Sequence, residues 1–213
     1  MAEVKSRTFR AAGLDLHALE AGEGAPVLFV HGWPTNAQLW RHVLATVGEG
    51  RRAIALDLPG FGRSAKPGDV SYGFGFQGPL GLCVHDAGGP LALHWAVQRV
   101  EQIERLCLLN TLTSPQVSWA VKLFLLWARV PLLRRSLTSP SGVARAMRLG
   151  VTHRERLTPE VLELYQAPFR EPGAHRAFIL AAQGLGRGGL ARIEHGLSAF
   201  RETPLRLIYG AQD

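Results

Sequence analysis

Two short runs, APVLFVHG and RRAIALDLPG, are apolar almost throughout, without the in-out alternation of a strand wetted on one side. Such runs read as strands buried on both faces, which is the condition of strands in a parallel sheet. LGLCVHD and IERLCLLNTLT continue the series, and helical segments lie between. TNAQLWRHVLATVGEG places Leu39, Trp40, Val43 and Val47 at helical spacing and ends in glycine, while GGPLALHWAVQRV follows LGLCVHD directly. Strands alternating with helices predict an α/β fold, a mostly parallel sheet covered on both faces. Ahead of it, KSRTFRAAG and LDLHALEAGEG alternate and meet at Gly13, the pattern of a hairpin.

From about Thr113 to Ala199 the strand signal disappears. VSWAVKLFLLWARV, SGVARAMRLGV, TPEVLELYQAPF and HRAFILAAQGL read as short helices, one of them opening at Thr158-Pro159-Glu160. The strand pattern returns in TPLRLIYGAQD. A helical excursion between two strands of one sheet is an inserted cap, which divides the chain into a core at 1–112, a cap at 113–199 and a return strand at 200–213. With 213 residues, 46% of them hydrophobic, one substantial core is expected. The glycine-rich GLGRGGL, residues 184–190, lacks a preceding strand and a downstream acidic partner, and reads as a hinge, not a phosphate loop.

The net charge of +7 comes mainly from arginines spread between Arg7 and Arg206, a scatter that argues for a solvated surface over a nucleic-acid stripe. The stretch nearest to a membrane segment, residues 117–133, is interrupted by Lys122, Arg129 and Pro131, so no span is expected. Association with a surface, or a lid over an apolar pocket, stays open for it. No apolar run of signal-peptide length follows MAEVKSRTFR, which makes the cytoplasm the expected location. Cys83 and Cys107 sit inside apolar runs, where a reduced thiol acts as a small hydrophobe, and neither has a second ligand at metal-binding spacing.

One residue breaks the pattern. In LGLCVHDAGGPLAL, Asp86 stands where a buried strand turns into a helix. Sites in parallel sheets lie at the carboxyl ends of strands, and a residue on the strand-to-helix turn is held out into that space. Gly88 and Gly89 suit a sharp turn with a helix packed close behind. The helix N-terminus favours negative charge, so Asp86 is expected to stay ionised. An aspartate before a helix is equally an ordinary N-cap.

Taken in order, VLFVHGWPTNAQLW, ALDLPGFGRSAKP, CVHDAGGPLAL and LIYGAQD resemble the α/β-hydrolase superfamily, in its haloalkane dehalogenase and epoxide hydrolase branch. The resemblance covers nearly the whole chain. It implies an α/β-hydrolase fold with an inserted helical cap and a nucleophile elbow carrying aspartate where esterases carry serine, at Asp86. The implied chemistry is attack of Asp86 on the carbon of a small apolar halide, or an epoxide, giving an ester that activated water then cleaves. The turn after His31-Gly32 matches the oxyanion loop, so the backbone N–H groups of Trp33 and Ala87 are expected to face the oxygen charge. His31 is expected to fix the loop, and His85 to point to the face opposite Asp86. Asp213 matches a position of the acid that orients the catalytic histidine; at the alternative position after LCLLN stands Asn110, which has no carboxylate. No metal or organic cofactor is implied, and the expected partner is a small apolar substrate.

The resemblance also implies departures. The family pattern runs on to a water-activating histidine, whereas this sequence stops at Asp213, lacking the last strand and helices, so ester formation without turnover is expected. Residues 73–79, GFGFQGP, are too short and too rich in glycine and proline for the helix that family members place there, which predicts an uncovered apolar sheet face and association. Dehalogenases carry tryptophan after the nucleophile and often asparagine after HG; Ala87 and Trp33 stand there. Epoxide hydrolases use cap tyrosines as acids, and Tyr165 is the one tyrosine in the cap segment. Trp33, Trp119, Phe124, Trp127 and Phe169 are candidates for an apolar pocket. A non-catalytic fragment that retains the pocket for binding is the alternative from another class, and the missing G-x-S-x-G disfavours a serine esterase.

Overall fold

The computed structural model describes residues 1–11, 13–67, 78–177, 179 and 187–211. Seven strands form one sheet: β1 (Lys5–Ala11), β2 (Leu14–Ala21), β3 (Pro26–Val30), β4 (Arg52–Leu56), β5 (Leu80–Asp86), β6 (Ile103–Thr111) and β7 (Leu205–Ile208), in the order β1-β2-β4-β3-β5-β6-β7. β1 pairs antiparallel with β2, and β2 with β4; every other pairing is parallel. The chain therefore steps from β3 outward to β4, then returns to place β5 on the other flank of β3. That reversal opens a crevice at the carboxyl ends of β3 and β5, where ligands of open α/β sheets bind.

The continuously apolar strands are buried on both faces, as their composition requires. Leu28 and Val30 of β3 join Leu82, Val84, Leu106 and Leu108 on one face, under Leu93 and Trp95 of α2 (Gly88–Ala96). Phe29 turns to the other face with Ala53, Ala55 and Cys83, under Trp40 and Leu44. Each large side chain fully buried in this way stabilises the fold by about 1.5–3 kcal/mol. The segment TNAQLW forms a single turn at Ala37–Trp40 that continues as α1 (Arg41–Val47). Its buried face is corrected by one position: Leu44 is fully buried, whereas Val43 is 43% exposed.

Between β6 and β7 lie α3 (Trp119–Arg129), α4 (Pro131–Leu137), α5 (Pro140–Gly150), α6 (Pro159–Gln166) and α7 (Arg187–Gly196). Ser118, Ser139 and Thr158 cap α3, α5 and α6 through their hydroxyls, and proline occupies the first turn of α4, α5 and α6. The hinge expected at GLGRGGL is corrected in its described part: Arg187 to Leu190 begin α7, whose Leu190 and Ile193 are buried in the core. The first three residues of that motif, and most of GFGFQGP, lie outside the described residues. No helix among the described residues is long and apolar enough to cross a membrane. Register places Cys83 opposite Cys107 on β5 and β6, a proximity invisible in their sequence spacing, and both thiols are free. Burial pushes the Cys83 thiol up, well away from the thiolate.

Next to the crevice, the DLPGFGRS turn is organised by a buried carboxylate. Asp57 accepts from the His17 ring at 2.7 Å, from the Ala37 N–H at 2.6 Å and from the Arg63 N–H at 2.8 Å. Burial pushes its carboxyl up. The His17 hydrogen bond, the nearby His31 ring and the two backbone N–H groups outweigh that, holding it below the ordinary aspartate value. Because the folded state binds this proton less readily than the unfolded chain, the stability Asp57 contributes is complete above pH 3.8 and is lost as the pH falls below it. Asp57→Asn, which turns an amide N–H toward donors, is expected to cost about 1–3 kcal/mol in urea unfolding at neutral pH and to flatten the acid limb of the stability curve. An unchanged midpoint and an unchanged acid limb would contradict this account.

Candidate active site

Asp86 ends β5 with φ of +50°, a left-handed backbone that only a tight turn imposes on a residue with a side chain. Strain of this kind persists where surrounding structure over-determines it, and it collects at functional sites. Here the surroundings are specific. A Cβ on Gly32 would lie 2.4 Å from Asp86 Oδ1, and one on Gly88 would lie 2.1 Å from the His31 carbonyl oxygen. The β3 loop and the start of α2 are thus in backbone contact around the aspartate.

Oδ1 of Asp86 accepts from the Trp33 N–H at 3.1 Å and from the Ala87 N–H. Among the described residues nothing donates to Oδ2. The two N–H groups expected to form an oxyanion hole therefore converge on one oxygen of the aspartate itself. His31 holds the loop that carries Trp33: it is fully buried, its Nδ1–H donates to the Gly32 carbonyl at 2.9 Å, and its Nε2 accepts from the Leu58 N–H at 3.1 Å. Burial pushes this imidazole below its ordinary value, which agrees with a neutral ring engaged at both nitrogens. The ring of His85 lies edge-on to Trp40, in the layer beneath the opposite face.

Two influences act on the Asp86 carboxyl in opposite directions. Burial, the largest influence, pushes its carboxyl up; the Ala87 N–H, His85 and the Trp33 N–H pull the other way and do not overcome it. Sequence reasoning placed the carboxylate at the helix N-terminus but had no means of showing how far the elbow withdraws it from water.

One contributor was missed. The Thr111 hydroxyl, at the end of β6, donates to the Asp86 carbonyl at 2.6 Å, and the Tyr209 hydroxyl donates to the Thr111 carbonyl at 2.8 Å. The register slips beside it: His85 faces Leu109 while Asp86 faces Thr111, leaving Asn110 as a bulge residue with φ of +36°. Asn110 Oδ1 accepts from the Gly210 N–H at 3.0 Å, so it ties β6 to the end of β7. No local signal marks Thr111, because its role depends on a partner 25 residues away. Asp213 lies outside the described residues.

The aromatic candidates separate. The Trp33 ring meets Phe124 of α3 with centroids 4.9 Å apart, tilted by 47°, beside Asp86. The expectation that Trp119 and Trp127 line the same pocket is corrected, since they are 77% and 40% exposed on the outer side of α3. Tyr165 of α6 is buried, and the carbonyl of its neighbour Leu164 accepts from the Asn36 side chain at 2.8 Å, pinning α6 to the loop after β3. Among the described residues no group of three or more His, Cys, Asp or Glu is placed to hold a metal ion.

A carboxylate on a strained strand-to-helix elbow at the switch point of a parallel sheet, faced by two backbone N–H groups, defines a nucleophile-elbow scaffold. The model of the alpha/beta hydrolase fold family matches residues 25–158. A haloalkane dehalogenase of Agrobacterium fabrum is 27% identical over 212 residues, covering 82% of this chain and 63% of the relative. Haloalkane dehalogenase 2 of Mycobacterium tuberculosis is 30% identical over 230 residues, covering 98% of this chain and 78% of the relative. Among solved structures, the haloalkane dehalogenase DatA of Agrobacterium tumefaciens superposes with a TM-score of 0.72 at 25% identity, covering 96% of this chain and 78% of that one. The chain belongs to the α/β-hydrolase fold family, in its haloalkane dehalogenase branch. It spans 63% of the Agrobacterium fabrum relative's length.

Proposed function

We propose that this chain is a dehalogenase-like hydrolase in which Asp86 is the nucleophile toward small apolar alkyl halides. The observation that carries the reading is Asp86 on its left-handed elbow, with Oδ1 held by two N–H groups and Oδ2 unengaged among the described residues. Oδ2 attacks the carbon bearing the halogen; its lone pair forms the C–O bond while the C–X bond breaks and halide leaves with that electron pair. A carboxylate suits this step because no proton has to be removed first. In the resulting ester the carbonyl oxygen is Oδ1, already between Trp33 and Ala87. When water adds to that carbonyl carbon, the negative charge develops where those donors point. Trp33 and Phe124 supply the apolar wall. The segment boundaries that accompany this reading are core to residue 112, cap at 113–199 and return strand at 200–213, with Asp213 as the orienting acid.

Water activation needs a base within hydrogen-bond reach of the ester. His17 and His31 are buried and engaged elsewhere, the His85 ring lies edge-on to Trp40, His94 is in the last turn of α2, His42, His153 and His195 lie on the surface, and His175 bonds Thr138. The 213-residue chain is therefore expected to add one alkyl group and stop. Intact-mass measurement after incubation with an alkyl bromide tests this: a single stable adduct mapped to Asp86 supports the reading, while sustained alcohol release or an adduct elsewhere overturns it.

The rate of that adduct should also report ionisation. Burial raises the Asp86 carboxyl, so the reactive anion is lost as the pH falls, beginning above the ordinary aspartate value of 3.8. A rate constant that holds level down to pH 3.8 would contradict the placement of Asp86 in a desolvated site.

Epoxide opening is the second reading, favoured by buried Tyr165 on α6. Burial pushes its phenol up, keeping it a proton donor. Faster labelling by an epoxide than by an alkyl halide, slowed selectively by Tyr165→Phe, would select it.

A further inference from the structure

α3 has two apolar faces. Val121, Phe124, Leu125 and Ala128 turn toward the protein, with Phe124 against Trp33. Trp119, Leu123, Leu126 and Trp127 fall within one arc of about 100° on the opposite side, and all are exposed, Trp119 at 77% and Leu126 at 56%, as is Val130 just past the helix end. Leu132, on the next turn of chain, is 76% exposed. A helix apolar on two opposite faces is ordinarily one covered on both, and an exposed stripe of this kind marks a docking surface.

Charge identifies what covers it. Arginines are scattered along the whole chain, but carboxylates are not. Residues 113–199 hold twelve Lys and Arg against five Asp and Glu, whereas the rest of the chain holds twelve of each. The entire net charge of +7 therefore resides in the segment that exposes the stripe. Lys122 flanks the arc on α3 and Arg135 follows on α4; both are exposed, and neither is ion-paired among the described residues. A second copy would bring two segments of net charge +7 together and be repelled. Nucleic acid would engage the cations and leave protruding indole and leucine side chains in water. Indole, leucine and flanking cations together match the boundary of an anionic bilayer, where tryptophan sits at headgroup level and basic side chains meet lipid phosphates.

We propose that the outer face of α3, with the start of α4, docks on anionic lipid surfaces. Docking sets α3 between the bilayer and the Trp33 wall of the crevice, the side from which an apolar solute dissolved in lipid would arrive. The inference is independent of the chemistry proposed at Asp86, which is read separately by mass.

Flotation of the full chain with vesicles of phosphatidylcholine, with and without phosphatidylglycerol, tests it. Binding is expected with phosphatidylglycerol alone, to weaken as salt rises, and to shift tryptophan emission to the blue. Lys122→Gln with Arg135→Gln should weaken it roughly thirtyfold, and Trp119→Ser with Leu126→Ser should abolish both binding and the blue shift. Equal binding to both vesicle types, binding to neither, or a vesicle-free oligomer that dissociates in the Trp119→Ser, Leu126→Ser variant would each overturn the proposal.

Discussion

Asp86→Asn is expected to lower the rate of alkyl-adduct formation by about 10⁴-fold or more while leaving the fold intact. The substitution is nearly isosteric, and the amide oxygen still accepts from the Trp33 and Ala87 N–H groups that now hold Oδ1. What it removes is the anionic lone pair, because an amide group is a poor nucleophile toward saturated carbon. Burial acts against the charged form of Asp86, so removing the charge is not expected to destabilise the fold. Circular dichroism and urea unfolding should be unchanged, and intact mass after alkyl bromide should show the unmodified chain. An adduct formed at the original rate would show that position 86 is not the nucleophile.

Gly88→Ala should damage both stability and chemistry. The new Cβ would stand 2.1 Å from the His31 carbonyl oxygen and 2.8 Å from its carbonyl carbon, both backbone atoms that no rotamer change can move. α2 must therefore retreat from the β3 loop, at a cost of about 3 kcal/mol in urea unfolding. Retreat also separates the Trp33 N–H from Oδ1, and displacement of about 1 Å at a reacting centre slows the reaction about 100-fold. Gly50→Ala is the control: nothing lies within 4 Å of its Cβ position, and its stability should change by less than about 0.5 kcal/mol. Equal stabilities for the two variants would show that the elbow has slack that these contacts deny.

Together the two variants separate what the elbow presents from what it is built on. Asp86→Asn changes a functional group and keeps the contacts; Gly88→Ala keeps the functional group and breaks the contact between β3 and α2.

What the amino-acid order determined by itself is whatever depends on neighbours a few residues apart. The switch from continuous apolar runs to helical spacing located β3 to β6, α1 and α2, because burial on two faces and burial on one stripe leave different local periods. The turn at Asp86 was legible for the same reason: a carboxylate at the end of an apolar run, with two glycines and a helix-like run behind it, marks a strand-to-helix turn, whether the aspartate caps the helix or serves a site. Even there the local pattern missed by one residue which side of α1 is buried, since Val43 and Leu44 differ only in what stands opposite them. Only the tertiary structure decided that Thr111 reaches the Asp86 carbonyl across a slipped register, that Asp57 gathers donors from β2, from the turn at Ala37 and from its own turn, and that Trp119 and Trp127 face outward while Phe124 meets Trp33. Depth of burial and cross-strand partnership are properties of a closed surface, set by elements that pack from far along the chain, and no short window of sequence contains them.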